Sequence, residues 1–177
     1  MKRLLAMILV LITVISFAAC SSSSSSKSSS GEEAAETVAT PGSSVKNSKY
    51  EFNFEKAKAY NEIKGDNEYL VDTPEKGKEY VVCFFEVKNI SDENNYVNPL
   101  YLKGYVDDEK VSESLLINDV DGYKMLSGDL EPGKKMKGCI AYELPNGWKK
   151  LELSYTDGIT KSSDTYRFEV TPDSLSK

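Results

Sequence analysis

The sequence predicts an all-β domain, an immunoglobulin-like antiparallel β-sandwich behind a signal peptide and a disordered serine-rich linker. Three observations carry that expectation. Apolar and polar residues alternate with a period of two over most of the chain after residue 48. Gly, Pro and Asn clusters punctuate it at short intervals. No stretch keeps a helical period, and the strand-like runs are short and many, as in a sandwich.

The chain begins Met1-Lys2-Arg3 and continues apolar from Leu4 to Phe17. A basic cap before a short greasy run is the pattern of a secretory signal. About 14 residues fall short of the ~20 that span a bilayer. Small Ala18 and Ala19 precede Cys20, a layout that resembles the lipobox of bacterial lipoproteins, with Phe17 where Leu is more usual. That resemblance implies Cys20 as the first mature residue, with a diacylglycerol on its sulfur. Two or more acyl chains anchor a protein stably where one does so only marginally. Residues 1–19 are therefore expected to be a lipoprotein signal peptide.

Residues 20–47 are expected to be the lipidated cysteine and a disordered linker. Ser21 to Ser30 is broken only by Lys27 and offers nothing to bury. A flexible coil of about 28 residues has a typical reach of roughly 30 Å. The remaining 48–177 are long enough for one domain with one core.

Within it, Tyr50, Phe52 and Phe54 alternate with Glu51, Asn53 and Glu55, a first strand that can continue through Ala57 and Ala59. Gly65-Asp66-Asn67 reads as a turn, Tyr69 to Val71 as a short strand, and Thr73 to Gly77 as a second turn. Glu79 to Asn89 is the strongest strand. It is aromatic and β-branched and apolar on both faces near Phe84 and Phe85, which suits a central position. Leu100 to Val106 follows, with an acidic turn at Asp107-Asp108 and a return at Val111. Leu115 to Met125 is ambiguous and reads as short strand and loop. Asp129 to Gly133 is a turn, Lys135 to Leu144 a strand stopped by Pro145-Asn146-Gly147, and Lys150 to Tyr155 and Tyr166 to Val170 are the last strands.

Composition narrows the function. The 177 residues carry a net charge of −6; loss of Lys2 and Arg3 with the signal removes two positive charges and makes it −8. That disfavours nucleic acid, which needs a basic footprint. The chain has no histidine. A Ser-His-Asp triad, a Cys-His pair and His-ligated zinc are thereby excluded. An enzyme would need carboxylates converging in a cleft, and the expectation is that this is not one. No cofactor is expected.

Cys83 and Cys139 invite a disulfide in an exported protein. Alternation argues otherwise. Outward Glu86 and Lys88 put Cys83 inward, whereas outward Lys135, Lys137 and Glu143 put Cys139 outward. Two thiols on opposite faces do not bridge unless a bulge resets the parity, so the reading favours unpaired thiols.

A set of motifs stands in a recognisable order: Gly77-Lys78-Glu79-Tyr80-Val81-Val82, Glu86-Val87-Lys88-Asn89-Ile90-Ser91, Leu130-Glu131-Pro132-Gly133, Gly138, and Tyr142-Glu143-Leu144-Pro145. Residues 48 to 171 thereby resemble the immunoglobulin-like domain of unknown function of Gram-positive lipoproteins, the immunoprotective extracellular family. The resemblance implies a β-sandwich and a place on the outer face of a bacterial membrane. It implies no catalytic residues.

Several local patterns were weighed as sites. Asp119-Val120-Asp121-Gly122 starts like a calcium loop but lacks a third acid and a closing Glu, and reads as a solvated turn. Asn89-Ile90-Ser91 fits the N-glycosylation pattern but reads as a loop after a strand. Lys134, Lys135, Lys137, Lys149 and Lys150 can form a basic stripe, or simply solvate a strand face. Trp148, after the Pro-Asn-Gly turn, is the candidate interaction anchor; packing across the end of the sandwich is the alternative. Tyr96, Tyr101, Tyr105 and Tyr123 can share one loop tip with it.

The function expected is a lipid-anchored, non-enzymatic extracellular binding or adhesion module. Its partners would be the membrane, through lipid on Cys20, and an envelope or secreted protein. The alternative is a structural spacer or assembly accessory of the envelope. The two differ in surface: a binding module shows a contiguous exposed apolar patch, a spacer a uniformly polar one.

Overall fold

A computed structural model describes residues 37–65, 69–157 and 165–177. The signal, Cys20 and the serine tract lie outside the described residues, as do Asp66 and Asn67 of one expected turn. Residues 35–177 form one compact unit.

Two five-stranded sheets face each other. One runs, in spatial order, β1 (Val38–Ala39), β14 (Thr165–Val170), β13 (Leu151–Thr156), β8 (Leu102–Val106) and β9 (Glu109–Val111). The other runs β10 (Glu113–Ser114), β12 (Lys135–Pro145), β6 (Lys78–Asn89), β3 (Tyr50–Tyr60) and β2 (Ser43–Lys46). Every pairing in them is antiparallel except β1 with β14. Two small ribbons complete the set: β4 (Ile63–Lys64) with β5 (Val71–Asp72), and β7 (Asn95–Val97) with β11 (Gly128–Leu130). The architecture is the expected β-sandwich. The chain changes sheets between β1 and β2 on one flank and between β9 and β10 on the other.

The first strands start ten residues before the expected boundary at 48. Val38 and Ala39 pair with Arg167 and Phe168, and Val45 faces the core. A segment with so few apolar residues cannot form a strand alone. It becomes one because a preformed sheet edge satisfies its backbone.

β6 is central, as its two apolar faces require. Its Val81, Cys83, Phe85 and Val87 enter the inter-sheet core, where Phe54 stacks on Phe85 at 4.7 Å and Phe168 meets Phe85 edge-on at 5.1 Å. Its Tyr80, Val82 and Phe84 enter a second cluster on the outer face of the same sheet. That face is covered by the segment following β10, through Val120 and the partly buried Leu116 and Tyr123. β3 carries a bulge between Phe54 and Lys56. The extra residue, Glu55, moves the inward set from even positions (Phe52, Phe54) to odd (Ala57), so one strand keeps its apolar residues buried on both sides of it. The sheets touch closely where Gly104 of β8 meets the Tyr142 ring of β12. A Cβ there would lie 2.8 Å from that ring.

The cysteines obey the alternation. Ile140 is opposite Cys83 and Cys139 is opposite Phe84, so the thiols lie on adjacent strands but on opposite faces of the sheet. Both are free. Cys139 does not reach solvent, however, because the covering segment buries it.

The motifs quoted above are structural fasteners. Asn89 is fully buried. Its Nδ2 donates to the carbonyls of Glu93 and Leu130, both at 2.7 Å. Its Oδ1 accepts from Ser91 N, Ser91 Oγ and Asn95 Nδ2 at 3.0, 2.9 and 3.2 Å. Gly133, at φ +73°, donates its N–H to the Asn89 carbonyl. Through its side-chain amide and its main-chain carbonyl, Asn89 thus ties the end of β6 to the Pro-Gly turn, and its buried side chain offers no exposed nitrogen for a glycan.

Both buried clusters and the strand pairings described close within residues 38–175. The unit therefore holds the contacts it needs to fold by itself.

Candidate binding groove

The segment after β10 shapes the most distinctive feature of the surface. Asp72 holds it from below. Asp72 Oδ1 accepts from Ile117 N at 2.9 Å, and Oδ2 accepts from Asn118 N and Asn118 Nδ2 at 3.1 and 2.9 Å. Asn118 Nδ2 also donates to the Leu70 carbonyl at 2.9 Å. The chain then reverses at Asp121-Gly122, both with positive φ, between the reciprocal bonds of Val120 and Tyr123. It returns along β12, where Leu126 N donates to Cys139 O and Cys139 N donates to Lys124 O. Gly138 makes that approach possible: a Cβ there would lie 2.5 Å from the Leu126 Cα.

Between the outgoing strand and the returning Met125 lies a cavity of 120 Å³. Its walls include Leu116, Ile117, Met125 and Ile140. Its charged residues are Glu113 and Asp119, and no lysine or arginine lines it. Around it stand side chains that folding left in water. In its lining Ile117 is 69% exposed and Met125 50%, and Leu115, between the lining Ser114 and Leu116, is 75% exposed. Exposed apolar groups beside a cavity make this face the candidate interaction surface. Cys139 also lines the cavity, but its thiol is held inert. Burial pushes its pKa up to about 12, and its S–H donates to the Tyr123 carbonyl.

The sites weighed in the sequence fare differently. Trp148 is corrected: it is 4% exposed, belongs to the inter-sheet core, and donates its Nε1–H to Glu79 at 2.8 Å. It packs across the end of the sandwich and presents no anchor. The four tyrosines do not share a tip with it. Tyr101 packs on the core, Tyr123 covers the outer face of β6, and Tyr96 hydrogen-bonds Ser127. Tyr105 lines a separate 180 Å³ hollow on the other sheet. Asp121 pairs with Lys56 at 2.9 Å and Lys58 at 3.8 Å, and among the described residues no group of three potential ligands gathers for a metal. The lysine stripe is dispersed into ion pairs: Lys135 with Glu86, Lys137 with Glu55, Lys150 with Glu152. Cys20 lies outside the described residues.

Sequence reasoning passed over Leu115, Ile117 and Met125. Their signal was present as Leu115-Leu116-Ile117, an unalternated apolar run between polar neighbours. Only the fold separates Leu116, which packs inward, from the two that stay outside.

With this geometry in hand, comparison decides the family. A model of a domain of unknown function, DUF4352, matches residues 40–166. The chain belongs to the DUF4352 family. A search of curated proteins finds no match. Solved structures resemble it at low identity. YcdA of Bacillus subtilis, described as a candidate lipoprotein, is 15% identical with a TM-score of 0.57. The match covers 73% of this chain but 38% of YcdA. YjhA of the same organism is 20% identical with a TM-score of 0.56, covering 73% of this chain and 97% of YjhA. A conserved hypothetical protein of Bacillus anthracis is 13% identical with a TM-score of 0.51, covering 64% and 87%. At these identities the likeness speaks for the fold alone.

Proposed function

We propose that this DUF4352 protein is a non-enzymatic binding or adhesion module, held on the outer face of a bacterial membrane by lipid on Cys20. Its contact surface is the groove beside β10. The observation that carries the reading is the pair of exposed apolar side chains, Ile117 and Met125, that line a preformed cavity. A spacer without a ligand has no use for such a pair, since exposed apolar groups invite aggregation unless a partner covers them. The leader and the small residues before Cys20 support the lipid anchor.

The test has two arms. In cells fed an alkyne fatty acid, the chain takes up label and Cys20→Ala removes it. The 35–177 unit, immobilised, captures a partner saturably from envelope extract, and Ile117→Asp abolishes capture. Capture indifferent to Ile117→Asp places the site elsewhere. Absence of capture at micromolar bait favours the spacer.

A further inference from the structure

We propose that the groove takes an extended basic peptide segment of a partner protein, laid beside β10, with one branched aliphatic side chain seated in the cavity. The inference rests on the binding reading above and names the chemistry of its partner. Three features point to that occupant.

The first is the edge. β10 is the outermost strand of its sheet and pairs only with β12. A strand edge is a template for an added extended chain, whose backbone supplies affinity while alternate side chains enter pockets.

The second is size and shape. A cavity of ~150 Å³ lined by aliphatic groups takes benzene. At 120 Å³ this one fits the four carbons of Leu or Ile and excludes an indole. It is also rigidly framed, because the Asp72 carboxylate holds Ile117 and Asn118 in place before any partner arrives. A framed site does not spend binding energy on ordering itself.

The third is charge. Glu113 and Asp119 stand in the lining with no cation to answer them there. The same two acids, on a chain of net charge −6, oppose a second copy docking face to face. The chain's own serine tract is a poor occupant, because Ser21 to Ser30 contains no aliphatic side chain to seat. A partner segment with lysine or arginine on either side of a Leu or Ile satisfies both the cavity and its rim.

The probe is a fluorescent heptapeptide, Lys-Val-Thr-Leu-Thr-Val-Lys, titrated with the 35–177 unit by fluorescence anisotropy at low salt. Three companion peptides carry glutamate ends, a central alanine, or N-methylated alternate amides. The expected result is saturable binding of the lysine-ended peptide, about fivefold tighter than the glutamate-ended one. The central Leu→Ala change weakens it about 10- to 100-fold. N-methylation abolishes it, and Glu113→Lys reverses the preference between the two ends. Glu113 lies at the surface edge, so that variant keeps the fold, which a thermal melt verifies.

Three results overturn the proposal: no saturation at millimolar unit for any peptide, equal affinity for both charged ends, or indifference to N-methylation. The envelope capture separates the causes. Capture that Ile117→Asp abolishes, with no peptide binding, leaves the groove as the binding site and removes this class of partner. Loss of both removes the binding reading as well.

Discussion

Replacing the fully buried Asn89 with alanine should cost a large part of the domain's stability. The amide makes five hydrogen bonds from a site with no exposure to water. In Asn89→Ala the partners Ser91, Glu93 and Asn95 lie near the surface, and water can replace much of what they lose. The Leu130 carbonyl is different, because its bond to Nδ2 is buried. Leaving it unpaired costs about 1–3 kcal/mol, and each net bond lost elsewhere adds up to about 1 kcal/mol. A loss of about 2–4 kcal/mol follows, a large part of the ~5–15 kcal/mol of a typical domain. Urea unfolding of the 35–177 unit measures it. With a slope of about 2 kcal/mol per molar urea, the midpoint falls by roughly 1–2 M and the slope is unchanged. Asn89→Asp at neutral pH should be at least as damaging, since it keeps the acceptor but points a carboxylate at two carbonyls. A loss below about 1 kcal/mol for Asn89→Ala would refute the idea that this residue fastens β6 to the Pro-Gly turn.

Other expectations follow from the same structure. Trp148→Ala should destabilise by about 3–5 kcal/mol, and Trp148→Phe by much less, in thermal melts. Because this is the chain's one tryptophan, native emission should be blue-shifted and move red on unfolding. Both domain thiols should be silent to Ellman's reagent in the native unit and both should react in denaturant. Burial pushes Cys83 and Cys139 well above the ordinary thiol range, and they do not bridge. Acid sensitivity should come partly from Glu55 and Asp121. Burial raises the Glu55 carboxyl, but hydrogen bonds from Lys137 and Tyr123 outweigh it and hold it below 4.5. The Lys56 ammonium holds Asp121 below 3.8. Carboxyls depressed in the folded state stabilise it fully above their ordinary values, and that contribution is lost as pH falls through the depressed ones. The contribution of these two carboxyls should therefore be constant from about pH 5 to about pH 8 and be lost below about pH 4, and the Glu55→Gln, Asp121→Asn double variant should fall less steeply in an acid titration.

Much of the fold was legible because β-strands write their faces into alternate residues. Glu86 and Lys88 fixed the inward set of β6, and that parity placed the two cysteines on opposite faces. What alternation does not encode is what covers an outward face. Cys139 points away from the inter-sheet core and is nevertheless buried, because residues 116–123 lie over it. The bulge at Glu55 was hidden for a related reason: one extra residue changes which parity faces in, and nothing local announces it. β1 and β2 were read as linker because their own composition cannot hold a strand. They borrow order from β14 and β3. Trp148 shows the converse. An aromatic after a Pro-Asn-Gly turn suits an exposed tip or a capped core equally well, and only the position of Glu79 settles it. The groove was unreadable because its residues come from β10, Leu116 to Asp119, Met125 and β12, stretches that no spacing rule joins.

The central claim is that this chain meets a partner through the groove beside β10. A photo-crosslinking amino acid placed at Ile117 in the full chain, in living cells, tests it most directly. The same label at Ser154, on the outer face of the other sheet, is the comparison. The account predicts a discrete crosslinked adduct from position 117 and none from 154. An adduct from 154 alone, or none from 117 with the protein folded and on the cell surface, would contradict it.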